Sequence, residues 1–165
     1  MADRTITERL QPSLLDRLTD DAPGERREGP GGRMIDLDRL RDIVRRDLAW
    51  LLNTGSLDSE IDPARHPNAA ASTVNFGLRD VSGVFSTTDR ASAIRRAIRE
   101  AIERFEPRLR SESLSVDLAR RPSQDDAVIA YDIRGEMWAQ PLPMELHLRS
   151  EVDITTGHVA LERAD

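Results

Sequence analysis

Acid–base and metal chemistry need imidazoles, thiols or paired carboxylates, and this chain is unevenly supplied with them. It has 3 histidines, no cysteine and 30 acidic residues among 165. His66, His147 and His158 have no partner at the i+3 or i+4 spacing of a helical metal pair. Without cysteine there is no disulfide framework, no thiolate zinc site and no cysteine nucleophile. No glycine-rich loop links a strand to a helix, and neither a GxSxG motif nor a calcium-loop carboxylate cluster is present. Two carboxylates can cleave a glycoside, but 30 acids provide pairs in any fold, so the pattern does not discriminate. No catalytic, cofactor-binding or metal-binding residue is assigned.

A more specific arrangement is "FEPRL", Phe105 to Leu109, where a proline separates one acid from one base. Pro107 ends a helix and biases Glu106 towards extended backbone. Residues two apart in an extended segment point the same way. Glu106 and Arg108 are thus expected side by side, with Phe105 and Leu109 turned towards the core. Two readings stand together: an internal ion pair or carbonyl cap at the helix end, worth about 0 to 1 kcal/mol if exposed, or a polar contact for another chain, in which Arg108 binds bidentately and Glu106 orients it.

The elements that must position this turn follow from periodicity. Leu37, Leu40, Ile43, Val44, Leu48, Leu51 and Leu52 recur at three- and four-residue steps, with Asp36 as N-cap and Gly55 just past the end, which predicts a helix of about five turns. Asn53 to Asn68 reads as a loop, and Gly77 in "VNFGLRD" marks a turn or a close backbone approach. A second helix carries Ala91, Ile94, Ile98, Ile102 and Phe105 on one stripe, with a cap among Ser86, Thr87, Thr88 and Asp89 and an outer pair Glu100 and Arg104. Beyond Leu114 the period falls to 2, through Val116 and Leu118, then Ile129, Tyr131, Ile133 and Met137, then Leu146, Leu148 and Val152, with "TTG" turning into "HVALE". Helices followed by alternating strands predict an α+β fold, two main helices on one face of a three- to four-stranded antiparallel sheet. Trp50 and Trp138 are expected in core or rim packing.

Before these elements, Leu10, Leu14, Leu15 and Leu18 form an apolar cluster at helical spacing, and Asp21 to Arg33 holds two prolines and four glycines among charges. The expectation is a short N-terminal helix on a flexible linker, residues 1–33, ahead of a single domain over 34–165. Leu14, Leu15 and Leu18 are then candidate partner contacts. The net charge of −6 argues against nucleic acid as the main ligand, while all 24 basic residues are arginine, whose planar fork suits protein interfaces. No apolar run approaches the roughly 18 to 20 residues of a bilayer span, and "MADRTITERL" lacks a signal-peptide core. A cytoplasmic protein without membrane insertion is expected.

"RDLAWLLNTG", "VNFGLRD", "FEPRL" and "LRSEVDITTG", in this order, together resemble the TssE family of type VI secretion baseplate proteins, itself similar to a wedge protein of contractile-tailed phage baseplates and labelled lysozyme-like in older naming. The leading "PSLLDRL" also resembles that family's N-terminal element. The resemblance implies a structural subunit that joins the baseplate wedge with TssF, TssG and TssK, and presents a sheet edge to the sheath proteins TssB and TssC, helping to nucleate sheath polymerisation. It implies an assembly contact at Glu106, Pro107 and Arg108, no cofactor, and a cytoplasmic baseplate docked at the inner face of the membrane. The alternative is a small glycan-active hydrolase.

Overall fold

The computed structural model describes residues 13–19, 23–24, 35–81, 87–119, 127–138 and 143–164. Apart from an exposed turn at Pro23 and Gly24, the expected linker lies outside these residues, as does the candidate cap Ser86.

A short helix α1, Leu14–Leu18, precedes the long helix α2, Leu37–Leu52. Asp36 caps α2 by accepting from the Arg39 backbone N–H at 2.8 Å, which satisfies one of the donors a helix start leaves open. One turn of helix, α3 (Pro67–Ala70), and a 3-10 turn at Thr73–Asn75 lie in the connection to α4, Thr87–Phe105. Strands β1 (Ser115–Leu118), β2 (Val128–Met137), β3 (Met144–Asp153) and β4 (Val159–Arg163) follow. They pair antiparallel in chain order, β1-β2-β3-β4, so β1 and β4 are the edges.

The two periodicities meet in one core. Leu40, Val44, Leu48, Leu51 and Leu52 of α2 and Ile94, Ile98, Ala101 and Ile102 of α4 lie against Val116, Tyr131, Ile133, Met137, Leu146, Leu148, Val152, Val159 and Leu161 of the sheet. The buried strand residues fall at alternate positions, so one face carries the apolar set. The other face carries Asp132, Arg134, Glu136, Glu145, His147, Arg149 and Glu151. Tyr131 locks sheet to helix by donating its hydroxyl to the Ala91 carbonyl at 2.9 Å, and burial pushes its pKa up to about 12.

The α+β architecture and the antiparallel meander match the expectation. Three details differ. Of the core or rim placement expected for the tryptophans the core is excluded, since Trp50 and Trp138 are 51% and 67% exposed. Glu100 pairs with Arg79 at 3.5 Å, and the i, i+4 pair on α4 is Arg99 with Glu103. The predicted loop after α2 ends early, because Pro67 fits the first turn of α3, where its missing N–H costs nothing.

Candidate partner-binding site

The turn after α4 is built by a proline and by its own side chains. The Glu106 backbone N–H still donates to the Ile102 carbonyl at 2.9 Å, the last helical bond before Pro107 stops the run. Leu109 then turns into the core and bridges to Met137, while the Trp138 N–H donates to the Arg108 carbonyl at 2.7 Å. The junction is thus sewn onto the end of β2.

Glu106 and Arg108 meet as their spacing predicts, but in a different setting. Glu106 is 4% exposed, which overturns the reading of an exposed pair. Its carboxylate accepts from the Arg108 backbone N–H at 3.1 Å and from Nε at 2.6 Å, and a third bond comes from Nη2. The same Nη2 reaches Asp47 Oδ2 on α2 at 2.7 Å. A carboxylate taken out of water needs this degree of compensation.

The network continues outward. Asp47 Oδ1 accepts from Arg46 Nε at 3.0 Å and Nη2 at 2.7 Å. Arg46 in turn grips Asp16 of α1 with Nη1 at 2.5 Å and Nη2 at 3.2 Å, and its guanidinium lies 4.8 Å from the Trp50 ring centre. Glu106, Arg108, Asp47, Arg46 and Asp16 therefore alternate acid and base from the core to α1. Burial works against the Arg108 charge, yet the hydrogen bonds and charge of Glu106, then of Asp47, outweigh it and hold its pKa above the ordinary value. The Asp16 hydrogen bond, acting against burial and aided by Asp47, does the same for Arg46. The hydrogen bond from Arg46 holds the Asp16 carboxyl below its usual range. Charge-assisted, partly bidentate pairs of this kind favour the ionised forms.

Beside the ladder runs a groove of about 260 Å³, lined by Leu15, Trp50, Leu51, Phe76, Phe105 and Arg108 among others. Phe76 and Phe105 meet edge to face at 5.3 Å along it. Of the three candidate leucines, Leu15 lines this groove and is 49% exposed, whereas Leu14 and Leu18 are 72% and 75% exposed. Asp16, Arg46 and Asp47 escaped the sequence reading. The only hint was acids and bases interleaved on the polar face of α2, a pattern that usually means solvation.

The carboxylates of the cluster are bound to guanidiniums, and the lowered Asp16 is the opposite of a general acid, which needs a raised pKa. Among the described residues no group of three or more His, Asp or Glu is arranged to hold a metal, and no helix is long and apolar enough to cross a membrane.

A second junction follows the C-terminal end of α2. The Asn53 amide donates from Nδ2 to the Ala49 and Val159 carbonyls, both at 2.8 Å, and accepts from the Val159 N–H at 2.9 Å. One side chain thereby closes α2 and occupies the outer edge of β4. Gly77, at φ +134°, passes so close to Thr54 that a Cβ would lie 2.4 Å from its carbonyl oxygen. Residues 38–142, which run from the first turn of α2 past the end of β2 and include the Glu106 to Arg108 turn, match the family of baseplate wedge protein gp25. The chain belongs to this family, which includes the TssE proteins. No curated protein and no solved structure matches it. Baseplate wedge proteins are structural and assemble with other baseplate subunits, and the charged turn and its groove are read in that light.

Proposed function

We propose that this baseplate wedge protein is a structural subunit of a type VI secretion system. It joins the wedge formed with TssF, TssG and TssK through the Glu106-Pro107-Arg108 turn. It offers a sheet edge to TssB and TssC at the start of sheath polymerisation, in a cytoplasmic baseplate docked at the inner face of the membrane. The observation that carries this reading is the poise of Arg108. Its guanidinium is fixed by Glu106 and Asp47, yet 30% of the side chain is exposed, beside an exposed proline and an apolar groove. A preordered cation at an interface loses little rotamer freedom on binding.

The edges also differ. On β4 the Val159 backbone is already bound by Asn53. On β1 the Ala119 N–H points at the Ala130 carbonyl of β2, so by alternation the Val116 and Leu118 N–H groups face outward. Leu118 is 55% exposed. We assign β1 as the edge for an incoming strand. Affinity co-purification with mass spectrometry tests both parts, comparing wild type with Arg108→Lys and Leu118→Pro at a temperature where circular dichroism shows each variant folded. Arg108→Lys is expected to lose wedge subunits, because lysine cannot reproduce the fork, and Leu118→Pro to lose sheath subunits. Wild type that brings down neither class overturns the proposal.

A further inference from the structure

The Asp16 side chain is only 9% exposed, although α1 is a five-residue helix with no buried residue. Two features account for its position: the Leu15 side chain forms one wall of the groove that Trp50, Leu51, Phe76 and Phe105 also line, and Asp16 forks on Arg46. Ser13 caps the helix by accepting from the Asp16 N–H at 3.4 Å, and its hydroxyl also bonds the Asp16 carboxylate. A helix this short does not persist alone in water. It is held by what it touches, and it touches an aromatic groove and a cation.

We propose that this groove is a docking site for a short helix of a partner protein that presents a leucine followed by a carboxylate, and that α1 is its displaceable resident in the free subunit. The resident displays the chemistry the site selects. Arg46 demands an acid, because its other carboxylate, Asp47, is shared with Arg108. Trp50, 51% exposed even with α1 in place, supplies the apolar wall that a longer helix would cover more fully. The occupant matters for the turn, since Arg108 and Glu106 both line the groove; exchanging α1 for a partner changes what faces them. This goes beyond the wedge assignment and rests only on the groove.

The test uses the full-length chain, labelled with nitrogen-15, as wild type and as Leu15→Asp/Asp16→Arg, in which α1 loses both contacts. The probe is a synthetic peptide with the sequence of residues 11–20, QPSLLDRLTD, titrated to millimolar concentration while the Trp50 indole and Arg46 Nε resonances are followed. The double variant is expected to bind the peptide with saturable shifts at Trp50. In wild type the resident helix competes, so apparent affinity falls by about tenfold or more, the factor set by a site free a tenth of the time or less. A peptide with alanine in place of its aspartates is expected not to bind the double variant. Equal binding to both proteins, no shift at Trp50 in the double variant, or undiminished binding of the alanine peptide overturns the proposal. The single variant Asp16→Ala repeats the titration if the double variant is unfolded. No baseplate protein enters the assay, so its result stands whatever the fate of the wedge assignment.

Discussion

The two junctions that stop α2 and α4 solve one problem with opposite chemistry. After α2 the chain is held by side-chain amides and not by ion pairs: the Asn53 amide on β4, the Asn75 amide on the Leu57 N–H, the Asp58 carboxylate and the Ala70 carbonyl, and a glycine where two backbones cross. After α4 it is held by a buried acid and a ladder of ion pairs. The neutral junction depends on shape, and its amides do not titrate. The charged junction depends on ionisation and leaves parts of Arg108 and Arg46 within reach of other molecules. The first fixes shape, whereas the second can serve as scaffold and contact together.

The largest effect is expected where shape leaves no alternative. Gly77→Ala puts a Cβ 2.4 Å from the Thr54 carbonyl oxygen, at φ +134°, so the Leu78 N–H to Thr54 carbonyl bond of 2.7 Å must also move. A loss of about 3 kcal/mol in urea unfolding is expected. A loss under about 1 kcal/mol would mean that this crossing yields easily, and the contrast between a rigid and an adaptable junction would fail.

Next comes the buried acid. Glu106→Ala leaves Arg108 with Asp47 alone, and because the guanidinium is partly in water the cost is set at about 2 kcal/mol, below that of a fully buried pair. Glu106→Gln keeps an acceptor but not the charge, and should lose about half as much. Thermal melts at matched pH decide. If Glu106→Ala melts like wild type, the turn is held by Pro107 and Leu109, and its charges serve partners only.

Asn53→Ala should cost less, about 1 kcal/mol, because water can reach the freed β4 edge. The loss should be the same at pH 5 and pH 8, since no titrating group is removed. Unfolding curves at the two values test this, and a pH-dependent loss would show that the neutral junction is coupled to the ionic one.

The fold was legible because its signals are periodic and local. The stripes of Leu40 to Leu52 and Ile94 to Ile102 gave the helices, and the alternation at Tyr131, Ile133, Leu146 and Leu148 gave the sheet. The neighbourhood of Glu106 and Arg108 was legible too, since a proline turn fixes it within two residues. The rest of the ladder was not. Arg108 meets Asp47 from 61 positions away, and Arg46 meets Asp16 from 30, and nothing local marks one acid on a polar helix face as a core partner. Burial of Glu106 was hidden for the same reason, because it depends on the packing of α2 against α4. Asn53 and Asn75 sat in stretches noticed for their glycines, while their amides carry the long-range bonds.

The smallest effect on stability is expected at the outer end of the ladder, and it bears most directly on the comparison. Asp16→Ala removes a pair between a short helix and a partly exposed arginine, worth about 0.5 kcal/mol. Its consequence should be local. With Trp138→Phe leaving Trp50 as the single tryptophan, acrylamide quenching of fluorescence should rise as α1 leaves, while urea unfolding barely changes. The pH dependence has a definite sign. Arg46 lowers the Asp16 pKa from its ordinary 3.8, so the unfolded chain takes up this proton first. The stabilisation by docking is complete above the ordinary value and is lost as pH falls through the lowered one. The quenching difference between wild type and Asp16→Ala should therefore persist at pH 5, shrink below pH 3.8 and vanish only in stronger acid. A difference already gone at pH 5 would show that Leu15 and Trp50, not the ion pair, hold α1, and the outermost rung of the charged junction would then be apolar packing.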